Sequence, residues 1–200
     1  MRLIAFVTVT TVVAVLIGFS QFLVWVEARA GVELDDPVLR LFTPVDVSWI
    51  TFGIIYVSIL LWLGLHLPTP CSLLIGLQSY ALMVVIRTAA MWLTPLDPPE
   101  SSLPLIDHMV ESLGPSQRLT KDLFFSGHTS TLFLLGLAAR TRRLRSLFLI
   151  LSACVAVCVV AQHAHYTVDV LVAPFMAYGA WSIISRFWVR SSLNDSSGHP

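Results

Sequence analysis

Charge is scarce in this chain. Only 12% of its 200 residues are Asp, Glu, Lys or Arg, and 12 basic residues balance 12 acidic ones to a formal net charge of zero. With a sequence pI near 7.0 the chain offers no basic field to a polyanion, so nucleic acid is not expected as a partner. Cysteine is also rare: Cys71, Cys154 and Cys158 lie in or beside apolar runs, where cysteine serves as a small hydrophobe, and no disulfide is expected. Cys154 and Cys158 stand one helical turn apart, but no other soft ligand lies beside them in sequence, so they are read as packing residues rather than a metal grip. Internal repeats and low-complexity tracts are missing, which leaves solenoids and linker-rich arrays without support.

What the chain has in abundance is apolar surface: 56% of residues are hydrophobic, and the mean hydropathy is +0.80. That lies far outside soluble norms and identifies an integral membrane protein. Helices that cross a bilayer each need roughly 20 apolar residues, and runs of about that length fall at Leu3 to Val26, Val47 to Leu67, Cys71 to Leu93, Leu123 to Ala139, Leu147 to Gln162 and Val168 to Val189. The expected fold is all-α, a polytopic bundle of six transmembrane helices forming one membrane domain over residues 1–190, followed by a polar tail, 191–200, expected to be disordered and dispensable. The first run precedes "VEARAG", Val26 to Gly31, whose Ala28 and Ala30 resemble a secretory cleavage site. The run is longer than the roughly 7 to 15 residues of a signal core and ends in Trp25, an interfacial anchor, so it is read as a retained span.

Orientation follows from the arginines. The densest cluster, "RTRRLR" at Arg140 to Arg145, separates the fourth and fifth runs and is expected in the cytoplasm, together with both termini, beside Arg2, Arg186 and Arg190. The loop with Glu33, Asp35 and Asp36, the segment Thr94 to Asp122 and the junction around His163 then share the extracytoplasmic face.

Two polar clusters meet on that face. In "AQHAHYTVDV", Ala161 to Val170, His165 and Asp169 are four residues apart, so on a helix the carboxylate reaches one imidazole nitrogen and leaves the other free. That arrangement makes histidine an effective base or nucleophile. In "FFSGHTSTLFLL", Phe124 to Leu135, a Ser-Gly-His-Thr sequence at a helix start offers unpaired N–H groups, hydroxyls and the positive end of the helix dipole to an anion. Gly127 permits close approach, Ser126, Thr129 and Lys121 are candidate phosphate donors, and His128 is placed to protonate a leaving oxygen. Ionisable residues at membrane depth are costly and therefore functional candidates. Arg87, inside the third run, is either a phosphate contact or a tie between helices through a carboxylate. His163 points about 200° from His165 on an ideal helix and is read as a supporting residue. His66 and His199 have no evident partners, and Pro174 is expected to kink the last helix without any chemistry.

These stretches resemble the type-2 phosphatidic acid phosphatase superfamily and, within it, the sphingomyelin synthase-like branch. The superfamily's Ser-Gly-His is matched by Ser126-Gly127-His128, and its His-x-x-x-Asp by His165 to Asp169. The branch's Ser-Gly-His-Thr and His-x-His-Tyr-Thr-x-Asp are matched in full by "SGHT" and by "HAHYTVD", His163 to Asp169. Fainter similarity lies in "IRTAAMWLTPLDPP", Ile86 to Pro99, and in Asp122. The superfamily's Lys-x6-Arg-Pro and the Ser-Arg before the last histidine are absent. Phe125 replaces the proline common in the phosphatases, Phe124 and Phe125 stand where the branch often has tyrosine, and Lys121 where it often has glycine. The resemblance covers roughly Asp36 to Trp188 and implies an enzyme that moves a phosphorylated head group from a phospholipid to a lipid hydroxyl of the ceramide or diacylglycerol type. It further implies His165 as nucleophile, Asp169 as its orienting carboxylate, His128 as acid and then base, and no cofactor or metal. Two other readings stand beside it: a lipid phosphate phosphatase with water as acceptor, and a non-enzymatic metal- or lipid-binding protein using His128, His163, His165 and Asp169 as ligands. Leu123, Phe124, Phe125 and Val168 are expected to form an apolar lateral entrance that favours a lipid acceptor. The sequence is silent on oligomeric state.

Overall fold

Long apolar runs with few charges can satisfy their backbone groups in hydrocarbon only as helices, and that is what the computed structural model contains. It describes residues 1–107 and 119–197; residues 108–118, within the expected outer segment, and 198–200, at the end of the expected tail, lie outside the described residues. Among the described residues there are six α-helices: α1 (Arg2–Glu27), α2 (Ser48–His66), α3 (Pro70–Leu93), α4 (Gly127–Leu137), α5 (Arg142–Ala161) and α6 (Thr167–Ser197). A single 3-10 turn at Leu39–Leu41 and an isolated parallel bridge between Val32 and Leu96 are the other regular features described.

The all-α polytopic bundle expected from the sequence is present, and five of its helices are long and apolar enough to cross a membrane. The fourth is shorter than expected. In place of a span over Leu123 to Ala139 stands an 11-residue helix, about 16 Å long, roughly half the hydrocarbon thickness. The reason is local. Phe124 and Phe125 take positive φ values of 62° and 46°, which a right-handed helix cannot contain, so winding begins only after Ser126.

α4 is consequently enclosed by its neighbours, packing mainly on α5 and α6, while α3 lies between α1 and α6. The close approach of α6 is made by Ala173, Ala177 and Ala180, all fully buried beside Met83, Phe125 and Leu134; small residues at helical spacing let backbones come together in lipid. α1 is the peripheral helix. It is held through Gln78, which donates to Thr8 (2.8 Å) and accepts from the Trp188 indole (2.7 Å).

Two ends result. One gathers the ends of α1, α3 and α5 with the starts of α2, α4 and α6, and exposes Trp25, Trp49 and Trp92 around its rim, as a membrane interface requires. The three segments expected to share a face do so among their described residues: Val32 N–H bonds Pro95 O (3.0 Å), Leu103 N–H bonds Gln162 O (3.1 Å) and Val45 N–H bonds Ala161 O (3.0 Å). At the opposite end His66, for which the sequence suggested no partner, lies buried between the carbonyls of Trp62 (2.8 Å) and Ala138 (3.2 Å) and stacks on the Trp62 ring. It ties α2 to the end of α4.

Candidate active site

The two sequence motifs meet through the backbone. Ser126 N–H donates to the carbonyl of Asp169 (3.0 Å), so the start of α4 is fastened to the first turn of α6. Asp169 is fully buried and its Oδ2 accepts from His165 Nδ1 (3.2 Å) and from Tyr166 N–H (3.2 Å). The expected spacing of four therefore produces the expected contact, although α6 begins only at Thr167 and His165 stands just before it. With Nδ1 engaged by the carboxylate, Nε2 is the nitrogen left with a lone pair. His128, on the first turn of α4, faces this imidazole edge-on with ring centroids 6.0 Å apart and is backed by Phe52 at 5.6 Å. Its Nδ1 is buried without a hydrogen-bond partner.

The helix start has the form of an anion cradle. Ser126 caps α4, its Oγ accepting from Thr129 N–H (3.3 Å) and Thr129 Oγ1 (3.2 Å). Gly127 and His128 then carry N–H groups of the first turn, which have no partner within a helix. Thr129 acts here through Ser126, whose hydroxyl proton stays available. Arg87, 7% exposed on α3, lies against this turn: its Nη2 is paired with Asp122 Oδ1 (2.8 Å) and donates to Asp122 O (3.3 Å), and its Nε has no partner. The guanidinium is sandwiched between the rings of Phe19 (5.6 Å) and Phe125 (5.9 Å), a setting that keeps a buried cation in place. The tie to a carboxylate is present, through Asp122, and it leaves the Nη1 side of the guanidinium against Gly127.

Lys121 is placed differently. Its ammonium pairs with Asp97 (2.7 Å) and donates to Arg29 O (2.7 Å), while its N–H and Thr120 bond Glu27. Lys121 therefore knits the ends of α1 and α3 to the segment before α4, and its hydrogen bond holds the Asp97 carboxyl below the usual range. Leu123 and Phe125 are buried, in two separate core clusters. They are core residues and not the apolar entrance expected of them; Val168 is the exposed member of that set.

A layer above the motifs was not legible from sequence. Asp36 accepts from Thr167 N–H (2.6 Å) and Thr167 Oγ1 (3.2 Å), capping α6 from 131 residues away. Burial acts to raise its pKa, but the Thr167 and Val38 N–H groups outweigh that and lower it. Tyr166 donates to Asp97 O (2.8 Å) and accepts from Leu34 N–H (3.1 Å); burial pushes its phenol pKa up. Gln162 bonds Ser48, Pro104 O and Val47 N–H at 2.9, 2.9 and 3.1 Å. His163 sits at φ 54°, its Nδ1 2.6 Å from Ser101 Oγ and its ring against Phe42, and burial lowers its pKa. It is turned to the outer loop, in keeping with the supporting role read for it. The only sequence signal for this layer was that Gln162, His163 and Tyr166 are polar residues clustered around the motif itself.

Three residues near the site, Phe124, Phe125 and His163, have left-handed backbones; such conformations cost about 1–3 kcal/mol each and persist where packing over-determines them. Among the described residues no group of three or more His, Cys, Asp or Glu side chains converges as a metal site, so the four ligands of the metal-binding reading are not gathered. Two cavities adjoin the site's outer edge. One of about 450 Å³ is lined by Glu33, Asp36, Glu100, Ser101 and Tyr166 among others, and a more apolar one of about 270 Å³ by Leu34, Pro37, Val38, Tyr166, Val168 and Leu171 with Asp35, Asp36 and Thr167.

Residues 121–186 are similar to the family described as PAP2 superfamily C-terminal. The matched stretch is about a third of the chain and holds both histidine motifs. No curated protein and no solved structure matches the chain.

Proposed function

We propose that this protein is a lipid phosphotransferase of the sphingomyelin synthase-like kind, moving a phosphorylated head group from a phospholipid to the hydroxyl of a ceramide- or diacylglycerol-type lipid through a phospho-histidine on His165. The observation that carries the reading is the fastening of Ser126 N–H to Asp169 O, which sets the His165–Asp169 pair opposite His128 and the start of α4.

In the first half-reaction Nε2 of His165 attacks phosphorus in line. A P–N bond forms as the P–O bond to the donor's glycerol oxygen breaks, and that oxygen takes a proton from His128. Asp169 stabilises the imidazolium that develops. Charge on the non-bridging oxygens is met by the Gly127 and His128 N–H groups, the Ser126 hydroxyl and Arg87, all held in place before the reaction. In the second half His128, now neutral, takes the proton of the acceptor hydroxyl, whose oxygen attacks phosphorus, and the P–N bond electrons return to Nε2. Lys121 contributes by holding the segment that leads into the Ser-Gly-His turn.

The apolar cavity beside the start of α6 supports a lipid acceptor over water. It is walled in part by Val168 and Leu171, which are 41% and 63% exposed. With the arginine-rich end in the cytoplasm, the histidines open to the extracytoplasmic face. The test is to incubate purified protein with head-group-labelled phospholipids, with and without ceramide or diacylglycerol. Transferred head group is expected to exceed released water-soluble phosphoester several-fold, and omitting the acceptor is expected to slow donor loss. Donor loss that is unchanged without acceptor, with entirely water-soluble product, makes the protein a phosphatase.

A further inference from the structure

At the end of the bundle opposite the histidines lies a cavity of about 340 Å³ that the chemistry above does not use. Four helices build it. Ser72 and Ile75 come from the first two turns of α3, Leu137 to Arg140 from the end of α4 and the turn after it, Arg145 from the start of α5, and Trp181 and Ser185 from α6. Its volume falls in the range of small-molecule sites.

Among its lining residues are two arginines, Arg140 and Arg145, and two serines, Ser72 and Ser185, the latter donating to Ser182 O (3.2 Å), and the first turn of α3 supplies the positive end of a helix dipole. Among the described residues neither arginine has a carboxylate partner. This differs from the other end, where Arg40, Arg87 and Lys121 are each paired with an aspartate. Two arginines with no carboxylate partner among the described residues, lining one concave site, match the charge of a phosphate group. The remaining wall is apolar, formed by Ile75, Leu137 and Trp181, and Trp is a residue suited to the boundary between head groups and acyl chains.

We infer that this cavity binds the phosphate of an anionic membrane phospholipid, with the glycerol and upper acyl region against Trp181 and Ile75. A free anion would need only the arginines and hydroxyls, whereas the apolar wall is explained by a lipid. Basic pockets between helix ends, on the side of the membrane where arginine accumulates, are where such head groups are retained. The site is independent of the transfer reaction and stands or falls without it.

The test uses the full chain purified from nanodiscs of phosphatidylcholine containing a minority of phosphatidylglycerol, with bound lipid counted by native mass spectrometry. Wild type is expected to enrich phosphatidylglycerol, and R140Q/R145Q to lower that enrichment about ten-fold. R142Q/R143Q removes the same charge from the same arginine-rich stretch, at residues that do not line the cavity, and is expected to leave it within two-fold of wild type. S185F fills the cavity with every charge kept and is expected to abolish enrichment. Equal losses in the two double variants, retention by S185F, or displacement of the lipid by an equal concentration of inorganic phosphate would each overturn the inference.

Discussion

Gly127→Ala probes the cradle with the smallest possible change. A Cβ at this position would lie 2.5 Å from Arg87 Cζ and inside the contact radius of Nη1. Ordinary contact begins near 3.4 Å, so the guanidinium must withdraw by at least about 1 Å. It has little freedom to do so, being paired with Asp122 and enclosed by Phe19 and Phe125. A misplacement of about 1 Å in a positioning group costs about 100-fold in rate, or about 2.7 kcal/mol of transition-state stabilisation, and crowding a packed site costs about 1–3 kcal/mol of stability. The assay is initial-rate transfer of labelled head group together with a thermal melt of the detergent-solubilised protein. The same pair is measured for Arg87→Ala and for the double variant. If Gly127 matters because it admits Arg87, the double variant is no worse than Arg87→Ala alone, a coupling of about 2 kcal/mol or more. Additive losses, or Gly127→Ala retaining more than about half of the wild-type rate instead of about a hundredth, would refute the reasoning.

His165→Ala is expected to abolish turnover, Asp169→Asn to lower it by about 100-fold or more through loss of the carboxylate that sets the His165 tautomer, and His128→Ala to stop departure of the leaving group. All three should insert normally, and His165→Ala activity above a few per cent removes the phospho-histidine step. Asp36→Ala withdraws the remote cap of α6 and should cost about 1 kcal/mol of stability, read as a lowered melting temperature; an unchanged melt would show that the Thr167 contact contributes nothing. In a cysteine-free background, a cysteine at Ser102 should react with an impermeant reagent in intact cells and one at Arg142 should be protected. The reverse pattern turns the protein over and puts the histidines in the cytoplasm.

The sequence by itself determined whatever is encoded by local repetition. Apolar runs of about 20 residues fixed the spanning helices, because hydrocarbon leaves the backbone no alternative. The spacing of His165 and Asp169 kept them within reach, although Asp169 meets His165 by reaching back past the helix start and not along a helix face, and Ser126 before Gly127 fixed a cap, because neither depends on anything further than one turn away. Where a contact joins remote segments, the same reading had no purchase. The span expected at Leu123 to Ala139 became an 11-residue helix because Phe124 and Phe125 are held in left-handed conformations, and apolar composition alone cannot distinguish a buried loop from a helical turn. Lys121 looked like a phosphate donor by its position in sequence and proved to face Asp97 and Arg29, since its direction is set by the ends of α1 and α3. Arg87 could be named as a candidate, yet its pairing with Asp122 and its place against Gly127 follow from how α3 lies on α4. The cap from Asp36, the seat of Tyr166 and the cavity at the arginine-rich end likewise join segments far apart in the chain. Such contacts are selected by packing of the whole bundle, a choice that no window of neighbouring residues contains.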